Sequence, residues 1–148
     1  MLNEVLIQLF TDGLEKLKKE IEQYQDEADL WKTAGEITNS GGNLCLHLIG
    51  NLNHFFGAVL GGTEYTRDRD AEFANKHIPR EQIIADIAEV SHVVRATIEK
   101  LTPADWEKLY PIEVFGRPMS TEYFYVHLLG HLNYHLGQIN YHRRLLGS

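Results

Sequence analysis

Apolar residues recur with the period of an α-helix along most of this chain, and this periodicity is the strongest constraint on its fold. A first amphipathic helix is predicted over about residues 2–26. Its apolar stripe consists of Leu2, Val5, Leu6, Leu9, Phe10, Leu14, Leu17, Ile21 and Tyr24. A second helix is predicted over about 43–60, with Ser40 or Asn43 as its N-cap, and it should end at Gly61–Gly62.

Two further helices are predicted in the second half of the chain. The third opens at Pro79, a residue that suits the first helical position. A short helical turn begins at Thr102, and the irregular stretch YPIEVFGRP follows it, either extended or as a small hairpin. The last helix, capped by Ser120 or Thr121, runs to about Leu146. We therefore expect an all-α four-helix bundle with a longer connection between helices 3 and 4, formed by residues 1–148 as a single domain.

Composition excludes several functional classes. The net charge of -7 argues against a nucleic-acid partner, which usually selects a basic surface. The lone Cys45 excludes an internal disulfide and a cysteine-cluster metal site. The first residues carry Glu4 and lack the basic start of a signal peptide, and no apolar run reaches the ~18 residues of a membrane span. These features predict a soluble, cytoplasmic protein without a membrane partner.

Histidines in two of the predicted helices suggest a metal site. His131 and His135 are one turn apart, so both imidazoles lie on one helix face and can reach one ion. His47, in a separate apolar helix, is a candidate third ligand, and three ligands would leave positions open for water or substrate. Spacing alone leaves the set open: His54 lies two turns after His47, and His127 precedes His131 by one turn.

Other polar residues have less specific readings. His142 falls near the predicted end of the last helix, His77 in a loop and His92 on a partly wet face. Gln138 can hydrogen-bond to a ligand or to the next helix, and Asn51, one turn after His47, can orient a ligand or substrate. Any of the histidines can also be a core residue without metal, bonded to backbone or to a tyrosine.

The charged stretch RDRDAEF, residues 67–73, is predicted as a solvated loop that pairs its own charges. Alternatively, Arg67 or Arg69 holds an anionic substrate near the mouth of the bundle. We identify no acidic residue placed as a general base, because Glu122 is better explained by the dipole of the last helix.

Two motifs resemble the DinB-like superfamily, and the resemblance covers essentially the whole chain. A histidine early in the second helix, in LCLHLIGN, is followed by HLNYHLGQI in the last helix. The superfamily closes with HxxxH, a small residue and Gln, which His131, His135, Gly137 and Gln138 match. It includes YfiT-like metal-dependent hydrolases and the bacillithiol and mycothiol S-transferases. HLIGN followed by RDRDAEF is similar to a subfamily of unknown function.

The resemblance implies a metal triad of His47, His131 and His135, with His54 as a competing alignment for the first. It implies a divalent ion, nickel or zinc, and a homodimer. The expected function is a metal-dependent enzyme of thiol S-transferase or hydrolase type that acts on a small molecule, with a low-molecular-weight thiol as a candidate cofactor. The alternative is a non-catalytic, metal-stabilised dimer. One departure is Leu136, where many members carry His or Arg.

Overall fold

The computed structural model describes residues 1–147, and its architecture is helical. The α-helices are α1 (Leu2–Gln23), α2 (Gly41–Leu52), α3 (Arg69–Ala74), α4 (Arg80–Glu99), α5 (Pro103–Glu107) and α6 (Thr121–Leu145). Within residues 1–147 no β-strand forms, and no helix has the length and apolar character needed to cross a bilayer. The predicted four-helix bundle is confirmed by α1, α2, α4 and α6, and the longer connection between α4 and α6 holds α5.

Aromatic packing joins α1, the segment that follows α2, and α6 within one core. Phe10 of α1 meets Phe56 edge-on, with ring centroids 5.1 Å apart, and Phe56 stacks on Tyr125 of α6 at 3.9 Å. Gly13 of α1 faces Leu132 of α6 so closely that a Cβ at position 13 would lie 2.9 Å from the leucine side chain. This close approach fixes α6 against α1 at the level of the histidine pair.

Side-chain caps set the helix starts. Ser40 accepts a hydrogen bond from the Asn43 amide at 3.2 Å, so α2 begins two residues before the predicted position 43. Ser120, rather than Thr121, caps α6 by accepting from the Tyr123 amide at 3.1 Å. Thr102 opens α5 in a capping box, as the sequence predicts.

The first helix differs from its prediction at both its end and its apolar face. It ends at Gln23, and a 3₁₀ turn over Glu27–Trp31 follows. Val5 and Leu9 are 55% and 45% exposed, although both belong to the predicted stripe. The core takes a narrower face, because Gly13 contributes to it and α6 packs directly there. That face consists of Leu6, Phe10, Gly13, Leu14, Leu17 and Ile21.

A π-helical segment over Asn53–Ala58 continues α2, where a regular helix was predicted to about residue 60. Its backbone bonds include Val59 N–H to the His54 carbonyl at 3.1 Å. The Phe55 carbonyl, by contrast, accepts hydrogen bonds from the side-chain hydroxyls of Tyr110 and Tyr125. Side-chain donors thus stabilise the wider turn, and periodicity gives no sign of it.

His142 lies near the end of α6, as predicted, and tertiary contacts hold it there. The side chain is buried, and its Nδ1 lies 2.6 Å from the Tyr24 hydroxyl. Its Nε2 lies 2.8 Å from the Lys32 carbonyl oxygen, to which it donates. His142 therefore ties the last helix to the segment after α1, the role of a bonded core histidine.

Candidate metal centre

The structure brings His47, His131 and His135 together where α2 packs against α6. His131 Nε2 lies 3.2 Å from His47 Nε2 and 3.1 Å from His135 Nε2. All three ligand atoms lie within 4.8 Å of one another. The residues chosen from the motifs thus form one cluster, built from two helices.

The spacing of these nitrogens fits a shared ion. Zinc binds imidazole nitrogen at ~2.0–2.1 Å, so two ligands at the tetrahedral angle stand ~3.3 Å apart, and two at a right angle ~2.9 Å apart. The observed separations of 3.1 and 3.2 Å fall between these values. Two of the three separations therefore already match those of ligands on one ion, and the ligand atoms of His47 and His135 lie within 4.8 Å of each other.

Hydrogen bonds fix the tautomers of two of the three imidazoles. His47 Nδ1 lies 3.0 Å from Glu72 Oε1, and a carboxylate only accepts, so Nδ1 donates. The Arg67 guanidinium is farther from that nitrogen, at 3.4 Å. His135 Nδ1 donates to Gln138 Oε1 at 2.7 Å, the contact anticipated for Gln138. The Nε2 atoms of His47 and His135 are therefore left with lone pairs that face His131.

His131 completes an arrangement that suits a cation. Its Nε2 can donate a proton to only one of the two facing lone pairs, and its buried Nδ1 has no hydrogen-bond partner within residues 1–147. Burial, and then the imidazoles of His135 and His47, lower the pKa of His131 to about 4. Burial also lowers the pKa of His135. Both rings are thus neutral at neutral pH, the form that binds metals.

A buried ion pair between Glu72 and Arg67 supports His47 at Nδ1, the ring nitrogen that does not face the cluster. Glu72 is 6% exposed and accepts from Arg67 Nε at 2.9 Å and from a terminal guanidinium nitrogen at 2.9 Å. Burial alone would raise the pKa of Glu72, but the hydrogen bonds from His47 and Arg67 outweigh it and hold the pKa below its usual value. Gly50 makes room for this carboxylate, because a Cβ there would overlap it. Carboxylates in this position orient metal-binding histidines.

Glu72 corrects the prediction of a solvated loop over residues 67–73. Charges in this stretch do pair with each other, but Glu72 and Arg67 do so in a largely buried setting, and Arg69–Ala74 is helical. The Asn43 side chain donates to the backbone carbonyls of Glu72 at 3.0 Å and Asn75 at 2.8 Å, which ties α3 to α2. The one local signal for this helix is Asp68, whose side chain caps it.

A protein-family model matches almost the whole chain. The family model described as "Protein of unknown function (DUF1572)" matches residues 2–148. The chain belongs to the DUF1572 family. No curated protein matches it.

The solved structures include one with the same fold. It is the crystal structure of a DinB-like protein from Bacillus cereus ATCC 10987, at 22% sequence identity and a TM-score of 0.74. The match covers 97% of this DUF1572 chain and 92% of the other. The DinB-like fold expected from the two motifs is confirmed.

The two alternative ligands lie outside the cluster in this DUF1572 protein. Among residues 1–147, the converging group consists of the three histidines and includes neither His54 nor His127. The His54 ring packs on Phe55, with centroids 4.8 Å apart. The His127 ring packs against Phe115 at 4.9 Å and Phe124 at 6.2 Å. An ion held by three nitrogens would keep coordination positions open.

Glu122 is exposed, consistent with a role in the helix dipole.

Two cavities open on opposite members of the triad. The arginine cavity, about 200 Å³, touches His47 and His131. Its other walls include Asn51, Phe55, Arg67, Arg69, Phe115, Phe124 and His127. The tyrosine cavity, about 500 Å³, touches His135 and Gln138 and is also lined by Glu36, Tyr134 and Tyr141. Each cavity is thus lined by at least one member of the triad.

Proposed function

We propose that this DUF1572 protein binds one divalent ion through His47, His131 and His135 and is a metal-dependent enzyme of thiol S-transferase or hydrolase type. The observation that carries the proposal is the convergence of three Nε2 atoms at 3.1–3.2 Å steps, with two tautomers fixed by Glu72 and Gln138. Nickel and zinc both suit imidazole ligands.

The protein's own residues supply position and electrostatics. Glu72, held by Arg67, keeps the Nε2 lone pair of His47 directed at the cluster, and Gln138 does the same for His135. A bound divalent ion would act as a Lewis acid and lower the pKa of a coordinated water or thiol. Two cavities that each border the triad offer space for two reactants, which a transfer reaction between a thiol and an electrophile can use.

Elemental analysis tests the metal site. Protein purified without an affinity tag or chelator should contain about one nickel or zinc ion per chain. His131→Ala should lose it, because one of three ligands is removed. His54→Ala is the matched control: it removes an imidazole close to the site but outside the cluster, and it should keep the ion. Metal-free wild type, or a fully loaded His131→Ala, would refute the assignment.

Activity needs a separate test. Metal-loaded wild type is compared with His131→Ala prepared in the same way. Each protein is given a low-molecular-weight thiol with an activated aryl chloride and, in a separate assay, an activated ester. We expect thiol consumption or ester hydrolysis by the wild type alone. Equal rates for the two proteins would refute the enzymatic function but would leave the metal-site assignment unaffected.

A second candidate is a non-catalytic homodimer stabilised by its metal. The exposed apolar residues of α1 and α6 favour it, since Val5, Leu9, Tyr123 and Val126 are 45–55% exposed. In that case the ion is a structural clip, and a chelator should unfold the chain rather than empty the site. Circular dichroism before and after chelation, with molar mass by light scattering, separates the two candidates.

A further inference from the structure

Asn51 is a buried polar residue that nothing in the fold explains. Its side chain is 6% exposed, and its Oδ1 has no hydrogen-bond partner among residues 1–147. Buried amide oxygens without partners are rare, because leaving one unpaired destabilises the folded state. Asn51 lies one turn after His47 on α2 and lines the arginine cavity. A hydrogen-bond donor on a bound molecule would satisfy this oxygen.

The charge of the arginine cavity is opposite to that of the chain. The protein carries a net charge of -7, yet the described residues that line this cavity include Arg67 and Arg69 and no Asp or Glu. Arg67 is engaged by Glu72. Arg69 lies over the Phe73 ring at 5.3 Å and makes no ion pair within residues 1–147, so its guanidinium is available to an anion.

The remaining walls are largely apolar and include three phenylalanines together with Val114 and Leu128. Phe55, Phe115 and Phe124 line the cavity, and Phe124 meets both of the others edge-on, with centroids 5.0 and 6.2 Å away. A volume of about 200 Å³ corresponds to roughly seven water molecules at ~30 Å³ each. That space suits one six-membered ring with two small substituents.

We propose that the arginine cavity binds a small aromatic carboxylate that also carries a hydrogen-bond donor. The ring would pack among the three phenylalanines, the carboxylate would pair with Arg69, and the donor would reach Asn51 Oδ1. The cavity touches His47 and His131, so the acid would lie beside the metal-binding nitrogens. Binding of this acid does not depend on the proposed function; only a role for the acid as a substrate rests on it.

The probe is 3-hydroxybenzoate, which has both groups and does not chelate a metal through adjacent oxygens. Benzoate lacks the donor, and 3-hydroxybenzamide lacks the charge. Isothermal titration of zinc-loaded protein should rank 3-hydroxybenzoate above both. Arg69→Gln should weaken 3-hydroxybenzoate about tenfold and leave the amide unchanged. Arg95→Gln, the same charge change at an exposed ion pair on α4, should alter neither.

Asn51→Leu separates recognition from folding. It should reduce the affinity for 3-hydroxybenzoate to that for benzoate, while the melting temperature stays the same or rises, because an unpaired polar group is replaced by an apolar one. A lower melting temperature with unchanged affinity would show a purely structural role and overturn the assignment.

Metal content measured on the same samples keeps this inference distinct from the proposed function. One ion per chain without binding of 3-hydroxybenzoate at millimolar concentration refutes the anion site alone. Equal weakening by Arg69→Gln and Arg95→Gln does the same. Binding that depends on Arg69 and Asn51 in protein that takes up no metal supports the anion site and refutes the metal centre.

Discussion

Glu72→Gln tests whether the buried carboxylate serves the metal site. The change keeps the size of the side chain but removes the charge that pairs with Arg67 and accepts from His47 Nδ1. Hydrogen bonds to charged groups contribute ~1.5–3 kcal/mol each, and an amide retains part of them. Arg67 is 13% exposed, so it is left with little water to replace its partner. We expect the free energy of unfolding to fall by about 2–3 kcal/mol.

Metal affinity should fall more specifically. Loss of a group that orients a ligand typically weakens metal binding by ~10–100-fold, or about 1.4–2.7 kcal/mol. Competition with a chromogenic chelator measures this affinity, and urea denaturation in metal-free buffer measures stability. Glu20→Gln is the matched control, because Glu20 pairs with Arg143 at 2.8 Å and is similarly shielded, at 14% exposure.

The control should lose stability and keep its metal affinity, since Glu20 bonds Asn140 and Arg143 of α6, more than one turn beyond His135. Unchanged zinc affinity in Glu72→Gln would refute the positioning role. An equal loss of affinity in Glu20→Gln would show that the effect reports general destabilisation.

Three further predictions concern the metal and the core. Chelation should leave the helical circular dichroism signal intact, because the apolar core is independent of the site. Zinc at 100-fold above its dissociation constant stabilises the folded state by ~2.7 kcal/mol, and removing the zinc removes this contribution. Calorimetry should therefore show that the chelated protein melts ~5–10 °C lower. Leu6→Ala should cost ~2–4 kcal/mol in urea denaturation and Val5→Ser less than ~0.5 kcal/mol, since only the first is buried; equal costs would contradict the α1 orientation. Tyr24→Phe should cost ~1–2 kcal/mol by leaving His142 Nδ1 unpaired, with metal content unchanged by elemental analysis.

Local patterns were sufficient to predict the four long helices and the pairing of His131 with His135. Helical periodicity identifies the long helices because each buries one face, and Ser40 and Ser120 mark starts through their caps. The pair His131 and His135 is visible in sequence because helix geometry alone places them together.

Features set by tertiary contacts could not be read in the same way. Glu72 lies among alternating charges, and only its burial against Gly50 and His47 distinguishes it from the acidic residues around it. Leu9 fits the helical period as well as Phe10 does, yet the packing partner decides which of them is buried. The choice between His47 and His54 likewise depends on which turn of α2 faces α6.

Gly50 gives the cluster an unusual mutational fragility. A single methyl group at this position would displace the Glu72 carboxylate, and with it the support of His47, without altering any ligand. We therefore expect substitutions at positions 50, 67 and 72 to be coupled, so that a change at one favours compensating changes at the others. In comparisons among relatives, joint variation at these three positions would mark where the centre has been remodelled or lost, even where all three histidines persist.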